Sequence, residues 1–165
     1  MSNDLVKMAK QKDPDAFATL IQSHMQLLYK TARQILNNDE DIADAMQETI
    51  LTCWEKLDKL SNPNAFKGWL MKILVNKCYD QIRKKGPVDF TEAILEIETF
   101  ADYDQMEWQE LLWKLDEKYR IVMILYYLEG FKTSEISEIL EIPEATVRTR
   151  LKRGRERLAE IYQGG

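Results

Sequence analysis

The chain has 165 residues, of which 45% are hydrophobic and 31% charged, and its formal net charge is −5. That length allows one domain or two small ones, and the composition is that of a soluble globular protein. No run of about 18 apolar residues occurs, which excludes a spanning helix. The N-terminal stretch MSNDLVKMAKQKDPDAF has no apolar signal core. Cys53 and Cys78 form no CxxC pair, so the expected setting is a reducing cytoplasm and the expected role of both is that of small buried hydrophobes.

In chain order, the residues predict an all-α protein. Asp13-Pro14-Asp15 opens a helix carrying Phe17, Leu20, Ile21, Leu27, Leu28 and Ile35. Asn37-Asn38-Asp39 ends it and caps the next. That helix, about 39–58, places Met46, Ile50, Cys53, Trp54 and Leu57 at core spacing, and sets Asp41, Asp44 and Glu48 on one face beside Gln47. Residues 61–68, SNPNAFKG, read as a loop. The helix after it carries Trp69, Leu70, Ile73 and Leu74. Trp69 is expected in the core rather than as a platform for a base, and Asn76 and Asp80 share a face at i, i+4. Gly86-Pro87 breaks the pattern, because the residue before proline disfavours helix. Two small helical domains are therefore expected, at 2–85 and 106–163, joined by a linker at 86–105.

Charge is divided unevenly along this plan. Residues 67–85 hold six basic groups and one acid, 89–110 hold eight acids and no base, and 146–158 hold six bases and one acid. Two basic units flanking an acidic connector suit contact with a polyanion. In the second unit Thr133 is placed to cap a short helix with Ile136, Ile139 and Leu140 facing inward. Glu141-Ile142-Pro143 makes a tight turn, with Pro143 suited to the first position of the next helix. That helix sets Val147, Leu151, Gly154, Leu158 and Ile161 on one side and arginines and lysines on the others. A short helix, a three-residue turn and a basic helix make a helix-turn-helix, whose second helix fits a DNA major groove.

Three stretches carry a resemblance. DEDIADAMQETILTCW is similar to a D-x-x-D-x-x-Q-E-x-x-x-x-x-W helix, FKGWLMKILVNKCYDQIRKK to F-x-x-W-L-x-x-I-x-x-N-x-x-x-D-x-x-R-R, and the segment from LWKLDEKYR to RGRERL to L-P-x-x-x-R … G-x-x-x-x-E-I-A … G-T-V-x-S-R-L-x-R-A. In this order and spacing they resemble the extracytoplasmic-function (ECF, group 4) sigma factors of the sigma-70 family. The departures are Asp116-Glu117 in the Leu-Pro neighbourhood, Ala145 for glycine, Thr149 for serine and Gly154 for alanine. The last should cost about 1 kcal/mol in helix propensity, and closer helix approach is its expected return.

The resemblance implies a region 2 bundle that binds RNA polymerase core and the −10 element, and a region 4 helix-turn-helix that reads the −35 element. It assigns core-polymerase binding, on the β′ and β subunits, to Asp41, Asp44, Gln47 and Glu48. It assigns the −10 DNA and its opened non-template strand to Asn62, Asn64, Phe66, Lys67, Lys72, Lys77, Arg83 and Lys84. The double-stranded −35 DNA falls to Thr146, Arg148, Thr149, Arg150, Lys152, Arg153 and Arg157, with Arg155 and Arg157 further along toward phosphate or solvent. The acidic connector would thread polymerase channels. Family members are commonly held by an anti-sigma factor, often membrane-anchored, and a separate inhibitor of that kind is expected. No cofactor, metal or catalytic group is called for: His24 is the one histidine, and no P-loop, zinc spacing or Ser/His/Asp order occurs. The rival functions are a stand-alone helix-turn-helix regulator binding a paired operator and a helical protein adaptor, and both leave the 41–54 and 61–85 motifs without a role.

Overall fold

A computed structural model describes residues 2–85 and 110–164, and among these every regular element is helical. The expected connector therefore lies outside the described residues. The first half holds α1 (Ser2–Lys10), α2 (Pro14–Ile35), α3 (Asp39–Lys56) and α4 (Phe66–Lys85). Two 3-10 turns, Leu57–Lys59 and Pro63–Ala65, lie between α3 and α4. The second half holds α5 (Glu117–Met123), a π-helical turn at Ile124–Leu128, α6 (Thr133–Leu140) and α7 (Glu144–Gly164).

Local chemistry sets most of the boundaries. Asp13 caps α2 by accepting from the N–H groups of Asp15 and Ala16, at 3.1 and 3.3 Å, just before Pro14. Asn38 caps α3, its Oδ1 accepting from the Asp41 N–H at 2.8 Å. Such caps satisfy helix-end donors that would otherwise have no intrahelical partner. At α6 the expectation needs correcting. Thr133 is the first helical residue rather than the cap, and the Lys132 N–H donates to the Glu135 carboxylate at 3.0 Å. The Thr133 hydroxyl instead bonds Glu144 across the turn, at 2.8 Å. Pro143 stands one place earlier than expected, its carbonyl accepting from the N–H groups of Thr146 and Val147.

One core runs through both halves. Leu20 and Leu28 of α2, Ala45 and Cys53 of α3, and Leu70, Met71, Leu74 and Cys78 of α4 are fully buried, as are Ile124, Leu125, Ile136 and Val147. Burial pushes the Cys53 and Cys78 thiols up to about 12, so both are apolar filling. Gly154 allows α7 to close on α5: a Cβ there would lie 3.1 Å from the Met123 side chain and 3.6 Å from Tyr119 Cβ. That contact accounts for a glycine inside a helix.

The halves are docked against each other. α6 packs on α4, and α5 on α2. At the joint lies Arg120, 3% exposed. Its Nε donates to the Gln34 carbonyl at 2.7 Å, one terminal nitrogen to the Leu115 carbonyl at 3.4 Å, and its guanidinium stacks 3.9 Å from the Trp113 ring. Burial lowers its pKa to about 10, against the opposing pull of Glu117. Glu117 is itself raised, first by burial, and bonds Tyr79 of α4.

A buried cation is tolerated only while its donors are used. Arg120→Ala removes the one group joining Gln34, Leu115 and Trp113 and strands a half-buried carboxylate. It is expected to cost about 3–5 kcal/mol, read as a lower urea midpoint. Arg120→Lys, with a point charge in place of a planar fork, should recover only part of this.

Candidate nucleic-acid interface and acidic docking face

The helix-turn-helix forms as the residues imply. Glu141 adopts the left-handed conformation, φ 57°, and turns the chain between α6 and α7. Val147 and Leu151 of α7 are buried and Leu158 and Ile161 half-buried against the core. Arg148, Thr149, Lys152 and Arg153 are exposed early in that helix, with Thr146 and Arg150 half-buried beside them. Lys152 and Arg153 make no ion pair among the described residues. Arg148 is held by Glu144 at 2.9 Å, and the Thr149 hydroxyl bonds back to the Ala145 carbonyl at 3.0 Å. Further along, Arg155 donates to the Tyr127 hydroxyl at 3.0 Å and Arg157 lies 5.8 Å from the Tyr119 ring. Both late arginines turn toward the body of the domain.

The expected acidic face on α3 divides. Asp44 and Gln47 are exposed and Glu48 is half-buried. Asp41 is 6% exposed: its carboxylate accepts from Asn38 Nδ2 at 2.8 Å, completing a reciprocal cap at the helix start. A carboxylate in that position is no docking surface. Leu51, passed over in the sequence, is 61% exposed, one turn beyond Glu48. An exposed leucine on an otherwise polar stripe is the signal that would have found it.

The loop and α4 also divide. Asn62 and Asn64 are exposed at the 3-10 turn, and the Asn62 side chain accepts from the Asn64 N–H at 3.0 Å. Phe66, expected at a base pocket, is instead 3% exposed, edge-on to His24 at 5.1 Å and tilted to Trp69 at 6.1 Å. It is a core residue that anchors the end of the loop. Trp69 is half-buried against the core as expected. Asp80 pairs with Arg83 at 3.3 Å.

The basic residues of α4 form no single stripe. A step of five residues turns a helix by roughly 140°, so Lys67, Lys72 and Lys77 point three ways. Lys67 and Lys72 reach the second half. Lys67 donates to the Glu129 carbonyl at 3.5 Å and sits 4.8 Å from the Phe131 ring, while Lys72 pairs with Glu141 at 2.9 Å. Burial raises the Glu129 carboxyl, against Lys67 and Lys30. On the other side Lys84 pairs with Glu48 of α3 at 3.8 Å. Lys77 is half-buried and Arg83 exposed. Cations assigned to phosphates are thus partly held by the protein's own acids.

The comparisons agree with this layout. Sigma-70 region 2 matches residues 20–87 and sigma-70, region 4 matches residues 105–158. The ECF RNA polymerase sigma factor SigW of Bacillus subtilis (strain 168) is 31% identical over 172 aligned positions, covering 93% of this chain and 92% of that protein. The RNA polymerase sigma factor SigV of the same organism is 32% identical, covering 87% and 89%. Two solved structures share the fold. CnrH, in complex with the cytosolic domain of CnrY, has a TM-score of 0.76 at 24% identity and covers 99% of this chain and 97% of its own. The sigma factor RpoE of Bartonella quintana, in complex with the anti-sigma factor NepR, has 0.73 at 23% identity, covering 89% and 96%.

The Lys72–Glu141 pair is exposed, and exposed pairs are worth about 0.2–1 kcal/mol. A phosphate can replace such a carboxylate at little cost. Glu141→Gln should tighten binding of a single-stranded oligonucleotide by up to about five-fold at low salt, measured by fluorescence anisotropy. Unchanged affinity would show that Lys72 meets no phosphate.

Proposed function

The chain belongs to the extracytoplasmic-function sigma factors, and we propose on that footing how its own side chains divide the work of promoter-directed initiation. The protein is an alternative sigma factor, not an enzyme: it binds RNA polymerase core and directs it to promoters with defined −10 and −35 elements. The observation that carries this reading is the joint occurrence, in one docked molecule, of an exposed acidic face on α3 and a basic recognition helix, α7. A stand-alone regulator has no use for the first.

Asp44, Gln47, Glu48 and the exposed Leu51 form the face offered to the polymerase β′ and β subunits. Its charge suits a basic partner, and its leucine adds apolar area at one end. Asn62 and Asn64 are placed to meet an unpaired −10 base, with Lys67, Lys72, Lys77, Arg83 and Lys84 along the phosphates. Arg148, Thr149, Lys152 and Arg153, flanked by Thr146 and Arg150, face the −35 major groove. The units proposed are 2–85, a connector at 86–105 and 106–163. The work is done in the cytoplasm, where core polymerase resides. No described helix is long and apolar enough to cross a membrane. The solved relatives carry protein partners, which supports control by an anti-sigma factor.

Two experiments test this. Asp44→Lys and Glu48→Lys place cations against a basic surface and should weaken core binding at least about ten-fold. Unfolding should stay within about 0.5 kcal/mol of the parent for Asp44→Lys, and Glu48→Lys, which loses the Lys84 pair, should cost about 1 kcal/mol. Co-elution of both variants with core enzyme at parental affinity would remove the face from the account.

For the −35 element, promoters are selected from a randomised library by holoenzyme carrying each variant. Arg153→Ala should cost about 1–3 kcal/mol and relax preference at particular positions. Arg157→Ala, set back over Tyr119, should weaken all sequences alike and flatten the salt dependence. A recognition helix whose variants leave every base preference intact would be an electrostatic anchor only.

A further inference from the structure

The region 2 match begins at residue 20, so α1 lies outside it. Yet α1 is firmly seated, with Val6 and Ala9 buried. From there α1 reaches the stretch between α3 and α4 at two places, and Lys12, just past its end, holds the last turn of α3. Lys12 donates to the Trp54 carbonyl and lies 4.6 Å from the Trp54 ring. Lys10 donates to the Leu60 carbonyl. Asn3 Nδ2 donates to Asn64 Oδ1, at 2.5 Å, across 61 residues of sequence. Residues 57–65 hold only short 3-10 turns of their own, and such turns have poor hydrogen-bond geometry. Their placement is therefore set largely from outside, by α1 on one side and by buried Leu60 and Phe66 beneath.

The Asn3 contact has a chemical consequence. A carboxamide offers an acceptor at its oxygen and two donors at its nitrogen. In this arrangement the Asn64 oxygen accepts from Asn3 and its backbone N–H is held by Asn62, while the Asn64 amide NH2 has no partner among the described residues. A base meeting it must present an acceptor. We propose that Asn3 is a specificity-determining positioning residue, which orients the Asn64 amide shown to an unpaired −10 base. The inference rests on the reading that Asn64 meets the opened strand.

The direction of the effect can be reversed by one atom. In Asn3→Asp the donor becomes a carboxylate oxygen, which accepts only. Asn64 then bonds it by turning its NH2 inward, leaving its oxygen outward. The contact then moves to a donor atom of the base, an exocyclic amine or a ring N–H, and the preference at that position should change.

The test uses complete holoenzyme and a promoter library randomised across the −10 element, with Asn64→Ala, Asn3→Ala and Asn3→Asp. Asn64→Ala should flatten preference at one position. Asn3→Ala should reduce that preference by about two-fold or more, and Asn3→Asp should change the base favoured there. Thermal melting and core binding should match the parent for all three, since both side chains are exposed. If Asn64→Ala shifts a position that both Asn3 variants leave alone, the positioning role is overturned while the loop reading stands. If Asn64→Ala alters no preference, the loop reading itself fails. Weakening of all sequences alike by the Asn3 variants would reduce α1 to structural support and overturn the inference.

Discussion

Helix α4 is the wall on which both halves are built. Leu70, Met71, Leu74, Val75 and Cys78 are all within 1% of complete burial, and each such side chain contributes about 1.5–3 kcal/mol when removed from water. α2 and α3 cover one side of that apolar arc and α6 covers another. What remains polar on α4 is then divided by position. Lys84 is left facing α3, while Lys67, Lys72 and Tyr79 face the second half.

Arg120 shows why the docking is specific rather than a loose apolar contact. The hydrophobic faces of α5 and α2 could slide over one another at modest cost. A guanidinium with fixed donor directions cannot, because moving it would strand a buried cation. The Gln34 carbonyl at the end of α2 accepts that donor, so the register of the two halves is tied to one backbone oxygen.

Around this rigid joint the charges are inexpensive to rearrange. The pairs Lys72–Glu141, Lys84–Glu48 and Arg148–Glu144 all involve substantially exposed side chains. Each is worth little in water, and each can be exchanged for a phosphate or a partner's side chain with small loss. A net acidic chain can in this way carry cations for nucleic acid while keeping them neutralised in its own fold. Lys152 and Arg153, exposed early in the recognition helix, have no ion pair among the described residues to give up.

What the sequence determined by itself is the chemistry that acts within a few residues. Asp13 and Asn38 cap their helices because a cap acceptor reaches only two or three residues ahead. The periodicity of Val147, Leu151 and Gly154 set the buried side of the recognition helix, and with it the exposure of Arg148, Thr149, Lys152 and Arg153. The acidic stripe was legible as a spacing, though not where it stopped. Only the tertiary structure decided that Asp41 is spent on the Asn38 cap and Leu51 is exposed. Phe66 was expected at a base pocket, and packing against the rings of His24 and Trp69 made it an anchor instead. The scatter of the α4 lysines followed from which neighbours covered which side. The bonds from Asn3 to Asn64 and from Arg120 to Gln34 join residues 61 and 86 positions apart. No local pattern encodes such a pairing, because it exists only once the apolar faces have brought distant helices together.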